Sequence, residues 1–97
     1  IKGGENISPR EIDDVLYQHS DVLEAAAFGD VCSHYGETVK AGVVLKNKSS
    51  LTEKDLIKHC SKILGKFKSP ESIFFFDELP KGSSGKIQRL KIKNLIK

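Results

Sequence analysis

The sequence of 97 residues contains no methionine and begins with Ile1, so we expect it to be a piece of a longer protein. It has no apolar run near the roughly 18 residues of a membrane-spanning helix, and no signal peptide is visible. Its only cysteines, Cys32 and Cys60, form no Cys-x-x-Cys pair, a usage typical of a reducing compartment. These absences predict one small domain without a transmembrane segment.

Motifs for metal binding and for nucleophilic catalysis are also missing. The close pairs of potential ligands are Cys32 with His34 and His59 with Cys60, and neither has the spacing of a zinc site. Cys60 falls on the apolar face of a predicted helix, where core packing is its expected role. No nucleophile-elbow pattern occurs. We therefore predict neither a metal site nor a Ser-His-Asp site.

Acidic residues are absent from the last part of the chain. Residues 81–97 include six Lys or Arg side chains and no Asp or Glu, and the whole sequence has a net charge of +3. Such a segment is either a solvated helix face or a surface for an anionic ligand. No aromatic residue is interleaved with these cations, so base stacking is not expected. A nucleic-acid-binding or interaction module stays a remote alternative, for which steep salt dependence of binding would be the signature.

Hydrophobic periodicity predicts the order α-β-β-α-β-α. Helices are expected over 8–18, 52–64 and 87–97, and strands over 22–28, 38–46 and 72–77. The first two strands should be antiparallel neighbours, with 30–37 as the loop between them. The second helix should then cross over to the third strand. The fold class is therefore α+β, a small three-stranded sheet packed with helices.

Helix ends are marked by capping residues. Ser8 is a good N-cap, Pro9 suits the first helical position, and Glu11 completes a capping-box pattern. Asp13 and Asp14 are expected to join Glu11 in favouring the dipole of this helix.

The second helix carries the variant capping pair Thr52 and Asp55, and Gly65 is expected to end it. The apolar residues expected to anchor the third helix are Leu90, Leu95 and Ile96.

A loop of small residues, 79–87, follows the apolar run 73–76. Pro80 ends the strand, the glycines allow unusual backbone conformations, and Lys86 is presented near the end of the loop. The loop is either a plain turn with a solvated lysine or a site where Lys86 meets a phosphate or carboxylate. The P-loop pattern fails, because Pro80 stands where its first glycine is needed and Ile87 follows the lysine.

Four motifs then occur in order across nearly the whole chain. Together they resemble the C-terminal domain of adenylate-forming enzymes, a superfamily of acyl-CoA and aryl-CoA synthetases, nonribosomal-peptide adenylation domains and firefly-type luciferases. The residues of these motifs are most similar to those of CoA ligases of medium-chain acyl, oxalate or coumarate type. The motifs are Gly3-Gly4-Glu5-Asn6-Ile7-Ser8-Pro9-x-Glu11-Ile12, Tyr35-Gly36-Glu37, Lys66-Phe67-Lys68-x-Pro70 and Leu79-Pro80-Lys81-x-x-Ser84-Gly85-Lys86-Ile87.

The resemblance implies a reaction in two steps. A carboxylic acid reacts with ATP, accompanied by Mg²⁺, to give an acyl-adenylate, and the thiol of coenzyme A then forms a thioester. Residues 1–97 would be one mobile C-terminal lid on an N-terminal domain that binds ATP and the acid and lies outside this chain. The lid alone would be inactive and would bind no cofactor tightly. Lids of nonribosomal-peptide or luciferase-like enzymes are the alternative.

The resemblance also implies roles for particular residues. Lys86 would be the lysine of the adenylation step. The parent enzyme would be intracellular, in cytoplasm, mitochondrion or peroxisome, and would have no nucleic-acid partner. Tyr35-Gly36-Glu37 would serve structure or docking on the large domain. The expected nucleotide and substrate loop comprises Lys81, Ser84, Gly85 and Arg89. The loop expected to face the pantetheine of CoA comprises Gly3, Gly4, Glu5 and Asn6.

Overall fold

The computed structural model describes residues 8–32, 36–47 and 49–96. The elements are α1 (Pro9–Tyr17), β1 (Val22–Cys32), β2 (Gly36–Leu45), α2 (Glu53–Leu64), β3 (Ser72–Phe75) and α3 (Arg89–Leu95). The sheet has the order β1-β2-β3, in which β1 and β2 are antiparallel and β2 and β3 are parallel. The predicted α+β class, element order and crossover role of α2 are confirmed. Within the described ranges, the helices are too short or too polar to cross a bilayer.

The first two strands are longer than predicted, because their ladder continues into the expected loop. Asp30 pairs with Thr38, and Cys32 pairs with Gly36. Gly29 and Asp30 do not end β1, since the antiparallel partner supplies backbone hydrogen bonds that outweigh their turn preference. The Asp30 carboxylate also forms an ion pair with Lys40 of β2, with 3.0 Å between Lys40 Nζ and Asp30 Oδ2.

The first face of the sheet carries the larger core, beneath α1 and α2. The apolar stripe of α1 (Ile12, Val15 and Leu16) is buried on this face and packs against small residues of β1. The small side chains of Ala25 and Ala27 let the helix approach the strand closely. This core includes Ile12, Val15, Leu16, Ala25, Ala27, Val39, Ala41, Val43, Leu56, Cys60 and Ile73.

The second face is covered by α3 and the loop before it. Ala26, Phe28, Val44, Leu79 and Ile92 form a separate buried cluster there. Gly42, which pairs with Ala26, lies beneath it. A Cβ at Gly42 would lie 3.0 Å from Cγ2 of Ile92 and 3.2 Å from Cδ2 of Leu79. The absence of a side chain at Gly42 therefore lets α3 approach the sheet.

The two predicted capping boxes have different outcomes. Thr52 and Asp55 form a complete box: the Asp55 amide donates to Thr52 Oγ1 at 3.2 Å, and the Thr52 amide donates to Asp55 Oδ2 at 3.0 Å. Gly65 ends α2 with a φ of 88°. Ser8 is the N-cap of α1, but its side chain makes no capping hydrogen bond, so that box is wrong. Glu11 instead lies 3.6 Å from Lys68 Nζ.

The third helix differs from its prediction at both ends. It begins at Arg89, because Ile87 is held in an antiparallel bridge with Lys81. Its predicted anchors Leu90 and Leu95 are wrong, since their side chains are 75% and 60% exposed. Ile92 is fully buried instead, and Ile96 packs partly against the same cluster. The residues expected to form its first turn, from Ile87, lie instead in the bridged segment before the helix.

Candidate functional site

The loop that presents Lys86 is a tight hairpin, which we call the lysine hairpin (residues 81–87). Lys81 and Ile87 form its antiparallel bridge, and the Gly82 amide donates to the carbonyl of Lys86 at 2.9 Å. The Gly85 amide donates to the carbonyl of Gly82 at 3.0 Å, which closes a four-residue turn. The Gln88 amide donates to the carbonyl of Pro80 at 2.9 Å and fastens the base. The lysine therefore stands on a hydrogen-bonded scaffold.

Gly85 supplies the backbone conformation that this hairpin needs. Its φ is 83°, a left-handed value that side chains with a Cβ disfavour. A turn followed by a left-handed residue is the common build of a three-residue hairpin loop. Ser83 and Ser84 form the exposed tip. The strand–loop–helix geometry of a P-loop is not formed, because the hairpin separates β3 from α3.

Lys81, at the base of the hairpin, is joined to the edge of the sheet. Its Nζ lies 2.7 Å from Oε2 of Glu24 on β1. About a third of the Lys81 side chain is exposed, so the energy of this pair is modest, but the contact directs the cation towards the strand. Lys81 was predicted to contact nucleotide or substrate, and that role stays a prediction.

Arg89, at the start of α3, is part of a closed ring that we call the edge clamp (Asp13, Ala27 and Arg89). The amide of Ala27 donates to Asp13 Oδ1 at 2.6 Å, and Arg89 Nη1 donates to the carbonyl of Ala27 at 2.9 Å. Arg89 Nη2 and Asp13 Oδ2 lie 2.6 Å apart, which closes the ring. The clamp joins α1, β1 and α3.

The edge clamp changes the meaning of two predictions. Asp13 was expected to join Glu11 in the first turn of α1 and favour its dipole, but of these residues only Glu11 lies in that turn. Asp13 is 8% exposed and faces the sheet. Arg89 is ion-paired to Asp13 and hydrogen-bonded to Ala27 rather than a free cation, although its role towards a nucleotide stays a prediction. Asp13 precedes Leu16 of the apolar stripe by three residues, and this helical spacing was the available sequence signal.

Lys86 differs from the two cations that flank it. Its side chain is exposed, and it has no ion-pair partner among the residues that the structure describes. It borders an open pocket of ≈ 260 Å³ between α1, β1 and the lysine hairpin. Cationic, acidic and phenolic groups share the rim. The lining residues are Arg10, Asp13, Tyr17, Ala25, Ala26, Lys86, Ile87 and Arg89.

Sequence reasoning missed Arg10 and Tyr17 as neighbours of Lys86. Both lie on α1, which is distant in sequence from the lysine hairpin, and only the packing of α1 on β1 brings them to the pocket. Arg10 is exposed and Tyr17 is 45% exposed. The pocket therefore offers exposed donors to an anion, with Lys86 carried by the hydrogen-bonded lysine hairpin.

The other predicted site segments are only partly visible. Gly3, Gly4, Glu5 and Asn6 lie outside the described residues, as does Tyr35. Gly36 and Glu37 begin β2, so part of the Tyr35-Gly36-Glu37 motif belongs to the sheet.

The Lys66-Phe67-Lys68 segment is a turn after α2, and Phe67 is 62% exposed. The role predicted for each of these segments stays a prediction.

Histidine and cysteine have structural contacts away from the pocket. Cys60 is fully buried, as predicted, and burial raises the pKa of its thiol to about 11. His59 Nε2 lies 2.8 Å from the carbonyl of Val15, and its ring meets the edge of the His19 ring. No group of three or more His, Cys, Asp or Glu that could hold a metal lies within 8–32, 36–47 and 49–96.

Comparison with known proteins gives concordant results. Residues 11–86 match the family model described as "AMP-binding enzyme C-terminal domain", and Lys86 is the last residue matched. Sulfoacetate–CoA ligase of Cupriavidus necator is 49% identical over 94 residues, which are 97% of this chain and 18% of that protein. Oxalate–CoA ligase of Arabidopsis thaliana is 46% identical over 88 residues, 91% of this chain and 17% of that protein.

A solved structure shows the same fold. ATP-bound MatB from Rhodopseudomonas palustris superposes with a TM-score of 0.91 and 30% identity, over 98% of this chain and 19% of that one. The chain therefore spans less than a fifth of the length of these relatives. Fold, motifs and family model agree, and the chain belongs to the family of AMP-binding enzyme C-terminal domains.

Proposed function

We propose that this chain is the C-terminal domain of an AMP-forming acyl-CoA synthetase and that Lys86 serves its adenylation step. The observation that carries the proposal is the contrast between Lys86 and its neighbours. Lys81 and Arg89 are ion-paired to β1 and α1, whereas Lys86 is exposed, lacks a partner among the described residues and borders a pocket. A cation presented in this way is suited to a ligand anion from outside the domain.

The chemistry proposed for Lys86 is electrostatic. A carboxylate oxygen attacks the α-phosphate of ATP, the new P–O bond forms, and pyrophosphate leaves with the electrons of the broken bond. Negative charge develops between the two anions that must approach each other. An ammonium held by a hydrogen-bonded hairpin stabilises that charge and aligns the reactants.

The second proposed step transfers the acyl group from AMP to the thiol of coenzyme A. In this proposal the Gly3, Gly4, Glu5 and Asn6 loop faces the pantetheine. The domain turns on the N-terminal domain of the parent between the two steps. In this proposal Mg²⁺ accompanies the nucleotide. An enzyme that uses ATP and CoA is expected to work inside the cell. The isolated chain should fold but release no pyrophosphate.

Two alternatives receive less support. The relatives named above are CoA ligases, which favours a CoA thioester over the products of peptide-adenylating or luciferase-like enzymes. For a nucleic-acid module, the cations of the last segment would have to be available to phosphates. Three of them are already ion-paired: Lys81 with Glu24, Arg89 with Asp13, and Lys93 with Asp30.

Replacement of Lys86 in the full-length parent tests the proposal. We expect Lys86→Ala to lower ATP–pyrophosphate exchange by about 10²–10³-fold, the scale for loss of one electrostatic stabiliser. Lys91→Ala is the matched control, since Lys91 is also exposed but follows on α3, and we expect near-normal exchange from it. Unchanged exchange in Lys86→Ala would show that the hairpin is only a turn.

A further inference from the structure

The outer edge of β1 holds the lysine hairpin at two places. β1 pairs with β2 on one side only, so its other side is an open strand edge. At Ala27 the edge clamp occupies both the backbone amide and the backbone carbonyl. Asp13 accepts a hydrogen bond from the amide, and Arg89 donates one to the carbonyl. Three residues earlier, Glu24 holds Lys81. These contacts lie at the two ends of the hairpin, with Lys86 between them in sequence.

The edge clamp is built more tightly than the Glu24 contact. Asp13 is 8% exposed, and each of its carboxylate oxygens has a partner 2.6 Å away. Arg89 is held through Nη1 and Nη2 together, which fixes the plane of its guanidinium. Arg89 follows Lys86 by three residues, and the base of the hairpin, Gln88 to Pro80, lies between them. A displacement of Arg89 is therefore passed to the backbone of Lys86.

We propose that Asp13 is a positioning residue for Lys86, acting through Arg89, in the adenylation step. This inference rests on the proposed role of Lys86. Asp13 does not touch substrate in this proposal. It sets the direction of Arg89 and so the place of the hairpin on β1. In this proposal Arg89 lies beside the pocket because it positions the hairpin, and it does not contact phosphate directly.

The proposal predicts a defect confined to one step. Asp13→Asn keeps an acceptor for the Ala27 amide but removes the negative charge that faces Arg89. In the full-length parent we expect kcat for ATP–pyrophosphate exchange to fall about 10–100-fold, the scale of a misplacement near 1 Å. We expect KM for ATP to stay within about twofold, because ground-state binding is unaffected. Thioester formation from pre-made acyl-adenylate and CoA should keep its rate.

The control and the second variant keep this test decisive. Asp14→Asn changes the same residue type on the same helix at an exposed position and should behave like the wild type. Arg89→Gln breaks the clamp from the other side and should reproduce the defect. The double variant Asp13→Asn/Arg89→Gln should be no worse than either single variant, because the pair acts as one unit. If Asp13→Asn does not fold, Arg89→Gln alone must show the fall in kcat with unchanged KM.

Three outcomes would overturn the inference. Normal exchange in Asp13→Asn, with exchange abolished by Lys86→Ala, would leave the proposed function standing and remove Asp13 from it. A rise in KM for ATP on Arg89→Gln, with Asp13→Asn unaffected, would make Arg89 a direct contact to phosphate. Equal losses in both half-reactions would assign Asp13 to folding alone. Normal exchange in Lys86→Ala is different, because it would remove the proposed function itself.

Discussion

At the scale of the residue, Cys60 shows what burial does to an ionisable group. Its thiol is fully buried on α2, and burial raises its pKa from the usual 9.0 to about 11. Below pH 9 the thiol is protonated in both the folded and the unfolded chain. Between pH 9 and 11 the unfolded chain loses this proton while the folded chain keeps it, so the free energy of unfolding falls.

This shift predicts a pH dependence that belongs to one side chain. The contribution lost between pH 9 and 11 is on the order of 2–3 kcal/mol, since one pKa unit corresponds to about 1.4 kcal/mol. Urea unfolding of the 97-residue chain at pH 7.5 and 10.5 measures it. Cys60→Val is the control, because it keeps an apolar side chain and removes the titration. Equal losses of stability in the two proteins would contradict the assignment.

Ile92 and Leu90 separate the observed face of α3 from the predicted one. Ile92 is fully buried, so Ile92→Ala should lower the free energy of unfolding by about 2–5 kcal/mol. Leu90 is 75% exposed, so Leu90→Ala should change it by no more than about 0.5 kcal/mol. Denaturant unfolding of the two variants beside the wild type gives both values. A larger loss from Leu90→Ala would mean that α3 packs with the face expected from the sequence.

These residues also show where sequence reasoning succeeds at this scale. The exposure of Lys86, the need for a glycine at Gly85 and the burial of Cys60 follow from local chemistry and were predictable. The burial of Asp13 had only its helical spacing from Leu16 as a signal, and the burial of Ile92 had none, because it depends on how α3 lies against β1. That contact joins residues far apart in the chain, and local patterns do not encode it.

At the scale of the element, the N-termini of α1 and α2 make a matched pair. The Thr52 side chain accepts a hydrogen bond from the Asp55 amide in a full capping box. The hydrogen bonds from Thr52 to the Asp55 carboxyl lower the pKa of that carboxyl. Ser8 occupies the same position on α1 without a side-chain hydrogen bond. Thr52→Ala should therefore lower the free energy of unfolding by about 1 kcal/mol.

Ser8→Ala should lower it by only a few tenths of that amount, because no capping bond is lost. Thermal or urea unfolding of both variants near pH 7 makes the comparison, and the same stability loss in each would contradict the distinction. The wild type should itself lose part of this box at low pH. The Asp55 carboxylate becomes protonated as the pH falls through its lowered pKa, and its hydrogen bond from the Thr52 amide weakens.

Elements were predictable in number, type and order, and less so at their ends. β1 extends to Cys32, past Gly29 and Asp30, because the partner strand continues the ladder. α3 begins at Arg89, because the bridge between Lys81 and Ile87 holds the preceding backbone. In both cases a non-local hydrogen bond decided the boundary. Propensity describes only the local preference and therefore placed these ends wrongly.

At the scale of the whole molecule, charge pairing separates the cations of the C-terminal segment into paired and exposed ones. Lys81, Arg89 and Lys93 are each paired with an acidic residue of α1 or β1. Three of the six cations in 81–97 therefore have structural contacts. Lys86 stands apart as an exposed cation beside a pocket, on a hairpin anchored at both ends. In the proposed function, this arrangement provides preorganised positive charge for an anionic ligand from outside the domain.

The most direct test of this conclusion is to measure the two half-reactions separately in the full-length parent carrying Lys86→Ala. The first is ATP–pyrophosphate exchange, and the second is thioester formation from pre-made acyl-adenylate and CoA. We predict that exchange collapses by about 10²–10³-fold while the second step keeps its rate, because in the proposed mechanism the ammonium acts only where carboxylate and α-phosphate meet. Survival of exchange, or an equal loss in both steps, would contradict a role of Lys86 in adenylation.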